Sequence, residues 1–120
     1  MKNIYVDFDG VINSYKTRFT TVEELPDPPV PGAIEWLRSL IKRFNVTIYT
    51  ARMLDGRSQS FIMTWLLKYG MPMREIEQLS FSCVKGSADL YIDDRAYRFE
   101  GIFPDPDEIE AIEPWHKVDR

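Results

Sequence analysis

The alternation of short apolar runs with amphipathic segments constrains the fold of this chain more than any other feature of its sequence. Residues 3–8, 46–50 and 88–92 are rich in β-branched and aromatic side chains, which is typical of buried strands. In 32–44 and 57–69, apolar residues recur every three or four positions, which predicts helices. Strands that alternate with helices of about a dozen residues indicate βαβ units. The sequence therefore predicts an α/β fold with a mainly parallel sheet.

The remaining segments give weaker signals. Residues 11–15 and 18–22 are expected to pair as a small hairpin ahead of a proline-rich loop. Gly70 and Pro72 end the preceding helix, and a short helical turn is expected within 71–78. We also predict a weak strand at 79–81 and an edge strand at 97–103.

The bulk properties indicate one ordinary globular domain, residues 1–120. The formal net charge of −4 argues against a broad nucleic-acid-binding surface. No apolar run approaches the roughly 20 residues that span a bilayer, so we expect no membrane partner. The single cysteine, Cys83, cannot form an internal disulfide and is expected to be buried, and a reducing, cytoplasmic location follows. His116 lies in a polar tail and is expected to be solvated.

Polar residues stand where the predicted strands end. In a parallel sheet the carboxyl ends of the strands share one edge, and ligands bind outside that edge. The sequence therefore predicts that side chains far apart along the chain meet at one site. They are Asp7 and Asp9 after the first strand, Thr50 after the second, and Lys85, Asp93 and Asp94 around the last.

The chemistry of such a site is constrained by charge. Four carboxylates at close range repel one another unless a cation or shared protons offset them, and Mg²⁺ prefers oxygen ligands of this kind. Lys85 and Thr50 provide hydrogen-bond donors that suit a phosphoryl group. An aspartate such as Asp7 can attack phosphorus, and Asp9 is close enough in sequence to act as the acid and base.

Four motifs occur in an order that resembles the haloacid dehalogenase-like superfamily, in particular its phosphatase branch. They are DFDGV at 7–11, YTAR at 49–52, Lys85, and YIDD at 91–94. The resemblance implies a Rossmann-like three-layer α/β/α sandwich and a Mg²⁺-dependent phosphoric monoester hydrolase. The intervals 11–31 and 50–85 are too short for the separate cap domain that many relatives carry.

The resemblance also implies a role for each catalytic residue. Asp7 would be the nucleophile that carries a transient aspartyl-phosphate. Asp9 would be the general acid and base, and its backbone carbonyl would bind the metal. Thr50 would bind the phosphoryl oxygens, and Lys85 would neutralise charge on the nucleophile and the phosphate.

Further residues are assigned to the metal and the substrate in the same way. Asp93 would hold Mg²⁺, with Asp94 bound directly or through water. Residues 10–22 would form a flap over the site. Arg52 is a candidate for binding substrate phosphate, although pairing with an acid would explain it equally well. The flap residues that could touch the substrate are Tyr15, Lys16, Arg18 and Phe19.

The sequence leaves the substrate and the oligomeric state open. An uncapped site would admit a large substrate, such as a nucleic-acid end or a phosphoprotein, or a small phosphorylated metabolite. Two other functions remain as alternatives: a receiver-like phosphoacceptor domain and a non-catalytic binding module on the same fold. The order of the acids, with Asp9 two residues after Asp7, favours turnover over stable phosphorylation.

Overall fold

The fold is built around one parallel sheet, described by a computed structural model for residues 1–117. The strands are β1 (Asn3–Asp7), β2 (Asn45–Tyr49), β3 (Ser80–Ser82) and β4 (Leu90–Ile92). They lie side by side in the order β3-β2-β1-β4, and every neighbouring pair is parallel. The predicted α/β fold with a mainly parallel sheet, compatible with a Rossmann-like arrangement, is therefore confirmed. The last three residues of the predicted domain lie outside the described residues.

Helices and turns connect the strands. The described residues form α1 (Ala33–Leu40), α2 (Ser58–Lys68), α3 (Met73–Ile76) and α4 (Pro106–Ala111), with 3₁₀ turns at Ala51–Leu54 and Trp115–Lys117. The first predicted helix is shorter than expected, because residues 41–44 continue as turns. Within residues 1–117, no helix has the length and apolar character needed to cross a membrane.

The core lies on the two central strands. Val6 and Ile48 occupy neighbouring positions in β1 and β2, and both are fully buried. Leu37 of α1 and Leu66 of α2 are also fully buried in the same apolar cluster. Phe8, directly after β1, packs edge-on against the ring of Trp65 at 5.2 Å. This packing fixes the chain at the point where β1 ends.

The predicted hairpin of residues 11–15 and 18–22 is wrong. Residues 12–14 instead contact the proline-rich stretch: the Val30 amide donates to the Ile12 carbonyl at 2.8 Å, and the Ser14 amide donates to the Pro28 carbonyl at 3.1 Å. Thr17, at the expected hairpin turn, donates its amide and its hydroxyl to the Asp27 carboxylate. These longer-range bonds replace the local pairing.

The predicted edge strand at 97–103 is also wrong. No strand forms in this segment, and Gly101 has a φ of 98°, a left-handed conformation that interrupts an extended chain. Phe99 and Phe103 contact each other with ring centroids 4.9 Å apart but remain exposed. Since β4 is only three residues long, it offers a short edge for pairing.

Candidate active site

The register of the sheet brings the predicted acids to one edge. Val6 of β1 pairs with Ile92 of β4, so the next residues on the two strands, Asp7 and Asp93, follow paired positions. On the other side of β1, Asp7 pairs with Tyr49, the last residue of β2. The convergence follows from parallel pairing, because the last residue of each parallel strand and the residues directly after it lie at the same rim.

Asp7, Asp93 and Asp94 form an acidic cluster in which one carboxylate oxygen of each residue lies within 4.8 Å of the others. Burial raises the pKa of the Asp7 carboxyl to about 8, and the side chain of Asp94 and the charges of both neighbouring acids act in the same direction. The Phe8 amide donates to Asp7 Oδ1 at 3.0 Å, and this hydrogen bond lowers the pKa of Asp7 by less than the other contributions raise it. The ionised cluster is therefore electrostatically unfavourable without a cation.

Asp93 is an acid of the cluster whose negative charge is balanced by hydrogen-bond donors of the protein. Burial would raise the pKa of its carboxyl, but hydrogen bonds from the Arg95 amide and the Lys85 ammonium hold that pKa below its usual range. The Arg95 amide lies 2.7 Å from Asp93 Oδ1, and Lys85 Nζ lies 3.0 Å from Oδ2. The same contact raises the pKa of Lys85, so its ammonium is kept charged at the site.

Asp9 does not belong to the acidic cluster. Its carboxylate accepts two hydrogen bonds from Arg52, with Nε 2.8 Å from Oδ2 and Nη2 3.1 Å from Oδ1. Asn13 adds a third bond, from Nδ2 to Asp9 Oδ1, at 2.9 Å. Of the two interpretations of Arg52, pairing with an acid is the contact observed. The guanidinium is almost completely buried and lies 4.8 Å from the centre of the Phe19 ring.

Thr50 follows β2 and is buried. Its amide donates to the Ser82 carbonyl at 2.9 Å, which extends the pairing of β2 with β3 by one residue. Its hydroxyl accepts from the Arg52 amide at 3.2 Å and caps the 3₁₀ turn that begins at Ala51. The hydroxyl is thereby held at the carboxyl edge of the sheet.

A cavity of about 670 Å³ opens above this edge. Two of the four flap candidates, Tyr15 and Phe19, line it, whereas Lys16 lines a smaller cavity of about 360 Å³. Asp94 does not line the large cavity, and its carboxylate is almost completely buried behind it. The other predicted site residues all line it: Asp7, Asp9, Thr50, Arg52, Lys85 and Asp93.

His116 was not recognised as a site residue, and the prediction that it is solvated is wrong. Its side chain is 4% exposed, and Nε2 lies 2.6 Å from Asp94 Oδ2. The neighbouring Trp115 donates from Nε1 to the Gly10 carbonyl at 2.6 Å. The only available signal was that a Trp and the single His stand side by side in an otherwise acidic tail.

Cys83 is partly exposed rather than buried.

No protein-family model, curated protein or solved structure gives a significant match to this chain. Any functional assignment therefore rests on the residues and their geometry.

Proposed function

We propose that this chain is a Mg²⁺-dependent phosphatase that hydrolyses a phosphomonoester through an aspartyl-phosphate on Asp7. The observation that carries the proposal is the acidic cluster of Asp7, Asp93 and Asp94, which lies at the strand ends beside Thr50 and Lys85. We further propose that the chain is a member of the haloacid dehalogenase-like superfamily, with its three-layer architecture and no cap domain. The order and positions of the four motifs support this assignment.

The acidic cluster fits a hard divalent cation. Asp94 Oδ1 is buried and has no hydrogen-bond partner among the described residues, so a strong acceptor is left unsatisfied. The raised pKa of Asp7 shows that its charge is disfavoured beside two other acids. Asp7, Asp93 and Asp94 would hold Mg²⁺, with the backbone carbonyl of Asp9 as a fourth candidate ligand. When bound, the ion would neutralise the carboxylates and the phosphoryl oxygens.

Asp7 performs the first step of the proposed reaction. Its carboxylate attacks phosphorus as the bond between phosphorus and the leaving oxygen breaks, and a protonated Asp9 gives its proton to that oxygen. Lys85 Nζ and the Thr50 hydroxyl supply hydrogen bonds to the phosphoryl oxygens. Arg52 Nη1, which is buried without a partner among residues 1–117, is a further donor to the phosphoryl group.

Asp9 performs the second step. It takes a proton from water, the water oxygen bonds to phosphorus, and the bond between phosphorus and Asp7 breaks to release inorganic phosphate. The bonds from Arg52 and Asn13 orient the Asp9 carboxylate as a proton acceptor. The first step requires one of these hydrogen bonds to open, because a protonated Asp9 must turn one oxygen toward the leaving group.

The proposed function is tested by turnover of p-nitrophenyl phosphate with Mg²⁺, with EDTA, and in the Asp7→Asn variant. We expect release of p-nitrophenol only from the wild type with Mg²⁺. Asp107→Asn is the matched control, because this acid lies on α4 and is exposed. Calorimetry with Mg²⁺ checks whether Asp7→Asn weakens cation binding.

Each alternative function predicts a different experimental outcome. A stable phosphoprotein formed from acetyl phosphate without turnover would favour the receiver-like domain. The absence of any effect of Mg²⁺ on turnover, both with p-nitrophenyl phosphate and with a panel of phosphorylated metabolites and oligonucleotide ends, would favour the non-catalytic module. Equal turnover by the wild type and Asp7→Asn would remove Asp7 from the role of nucleophile.

A further inference from the structure

The C-terminal segment contributes two side chains to the candidate site, Trp115, which is 105 residues from its partner Gly10 along the chain, and His116, which is 22 residues from its partner Asp94. His116 Nε2 lies 2.6 Å from Asp94 Oδ2, and both side chains are almost completely buried. Trp115 Nε1 donates to the Gly10 carbonyl at 2.6 Å. We call Trp115 and His116 the C-terminal clasp, because these two contacts join the loop after β1 to the loop after β4.

The clasp fits closely against the backbone of the loop after β1. Gly10 has a φ of 89°, and a Cβ at this position would lie 2.4 Å from Asp94 Oδ2 and 2.8 Å from His116 Nε2. Only a residue without a side chain permits this approach at that φ. The ring of Tyr15 adds an edge-on contact to His116, with centroids 5.9 Å apart. The position of the imidazole is therefore determined on several sides.

The two carboxylate oxygens of Asp94 have different surroundings. Oδ2 is bound to His116, while Oδ1 is buried and has no hydrogen-bond partner within the described chain. His116 Nδ1 is likewise buried and unpartnered there, so the hydrogen of the contact is assigned to Nε2. The imidazole donates to Oδ2 and fixes the plane of the carboxylate, which leaves Oδ1 as the free ligand atom.

We propose that His116 is a positioning residue that holds the Asp94 carboxylate for cation binding, which makes the C-terminal clasp a part of the site. The inference rests on the proposed Mg²⁺ site and adds a residue that none of the four motifs contains. Bonds that orient a ligand typically change metal affinity by about 10- to 100-fold when they are removed. His116 acts through Asp94 and does not itself touch the substrate.

The test is Mg²⁺ binding to the full chain, measured by calorimetry without substrate. We expect His116→Ala to raise the Mg²⁺ dissociation constant about tenfold or more. His116→Gln should stay within about threefold of the wild type, because its amide nitrogen can reach the position of Nε2. His116→Asn should resemble His116→Ala, because its shorter side chain cannot. Glu113→Gln, an exposed change in the same segment, is the matched control.

A second comparison separates positioning from general support of the fold. In an Asp94→Asn background, His116→Ala should cause no further loss of Mg²⁺ affinity, because the coupling passes through that carboxylate. An equal loss in both backgrounds, or equal affinities of the Gln and Asn variants, would overturn the inference. If the wild type binds Mg²⁺ and turns over while His116→Ala binds Mg²⁺ equally well, the inference fails and the proposed function stands. A wild type that binds no Mg²⁺ overturns both.

Discussion

Replacement of Asp7 by Asn should stabilise the metal-free protein at high pH. In the wild type, burial and two neighbouring acids raise the pKa of Asp7 from 3.8 to about 8. Asn has nearly the same shape but carries no charge at any pH. The variant therefore removes the repulsion within the acidic cluster while it keeps the packing at the end of β1.

The sign and size of the effect follow from proton linkage. Between pH 4 and 8 the folded state keeps the Asp7 proton that the unfolded state has lost, so wild-type stability falls as pH rises. The interval from 3.8 to about 8, at about 1.4 kcal/mol per pH unit, corresponds to about 6 kcal/mol. Because the Asp7 side chain is only half-buried, screening by water reduces this to about 2–3 kcal/mol.

The assay is urea unfolding in EDTA at pH 4, 6 and 9, for the wild type, Asp7→Asn and the control Asp107→Asn. The advantage of Asp7→Asn over the wild type should be near zero at pH 4 and reach about 2–3 kcal/mol at pH 9. Saturating Mg²⁺ should then stabilise the wild type more than the variant. An advantage that stays the same at all three pH values would refute the reasoning.

Three further changes test other parts of the site and the core. Asp9→Asn should lower turnover at least about 100-fold, while its Mg²⁺ dissociation constant, measured by calorimetry, stays within about threefold of the wild-type value. The same variant should lower the free energy of unfolding in urea by about 3 kcal/mol, because the buried Arg52 loses its charged partner. Lys85→Met should raise KM for p-nitrophenyl phosphate about tenfold or more with little change in melting temperature, since the side chain is largely exposed. Ile48→Ala, in the centre of the sheet, should cost about 2–5 kcal/mol in the same unfolding assay, and a loss below 1 kcal/mol would contradict its assignment to the core.

The sequence was most informative where structure is decided locally. The run that ends at Asp7 is apolar and β-branched, and the parallel rule then places the ends of all strands at one edge. The three acids of the cluster, together with Thr50 and Lys85, are identified from these strand positions. The three acids and Thr50 stand at a strand end or within two residues of one, so their placement does not depend on how the loops fold, whereas Lys85 lies in the loop between β3 and β4.

The sequence was least informative where contacts between distant segments decide the structure. The local sequence predicts a hairpin turn at Thr17, but its amide and hydroxyl donate to the carboxylate of Asp27, ten residues away in the proline-rich stretch. The polar neighbours of His116 along the chain predict a solvated side chain. Its actual partner, Asp94, is 22 residues away, and no periodicity in the sequence encodes that contact. Arg52 was recognised, but its pairing with Asp9 depends on the geometry of two loops.

The distribution of positive charge around the acids gives the clearest argument that a cation completes the site. Arg52 is paired with Asp9, and Lys85 is paired with Asp93. Among the described residues, no cationic side chain forms an ion pair with Asp7. If the cluster served stability alone, each of its carboxylates would be expected to have a cationic side chain as a partner, because an unpaired carboxylate among acids lowers the free energy of unfolding. Here the compensation stops at Asp7, the residue proposed to attack phosphorus, so a bound ion could supply the missing charge while the carboxylate stays free of ion pairs within the protein.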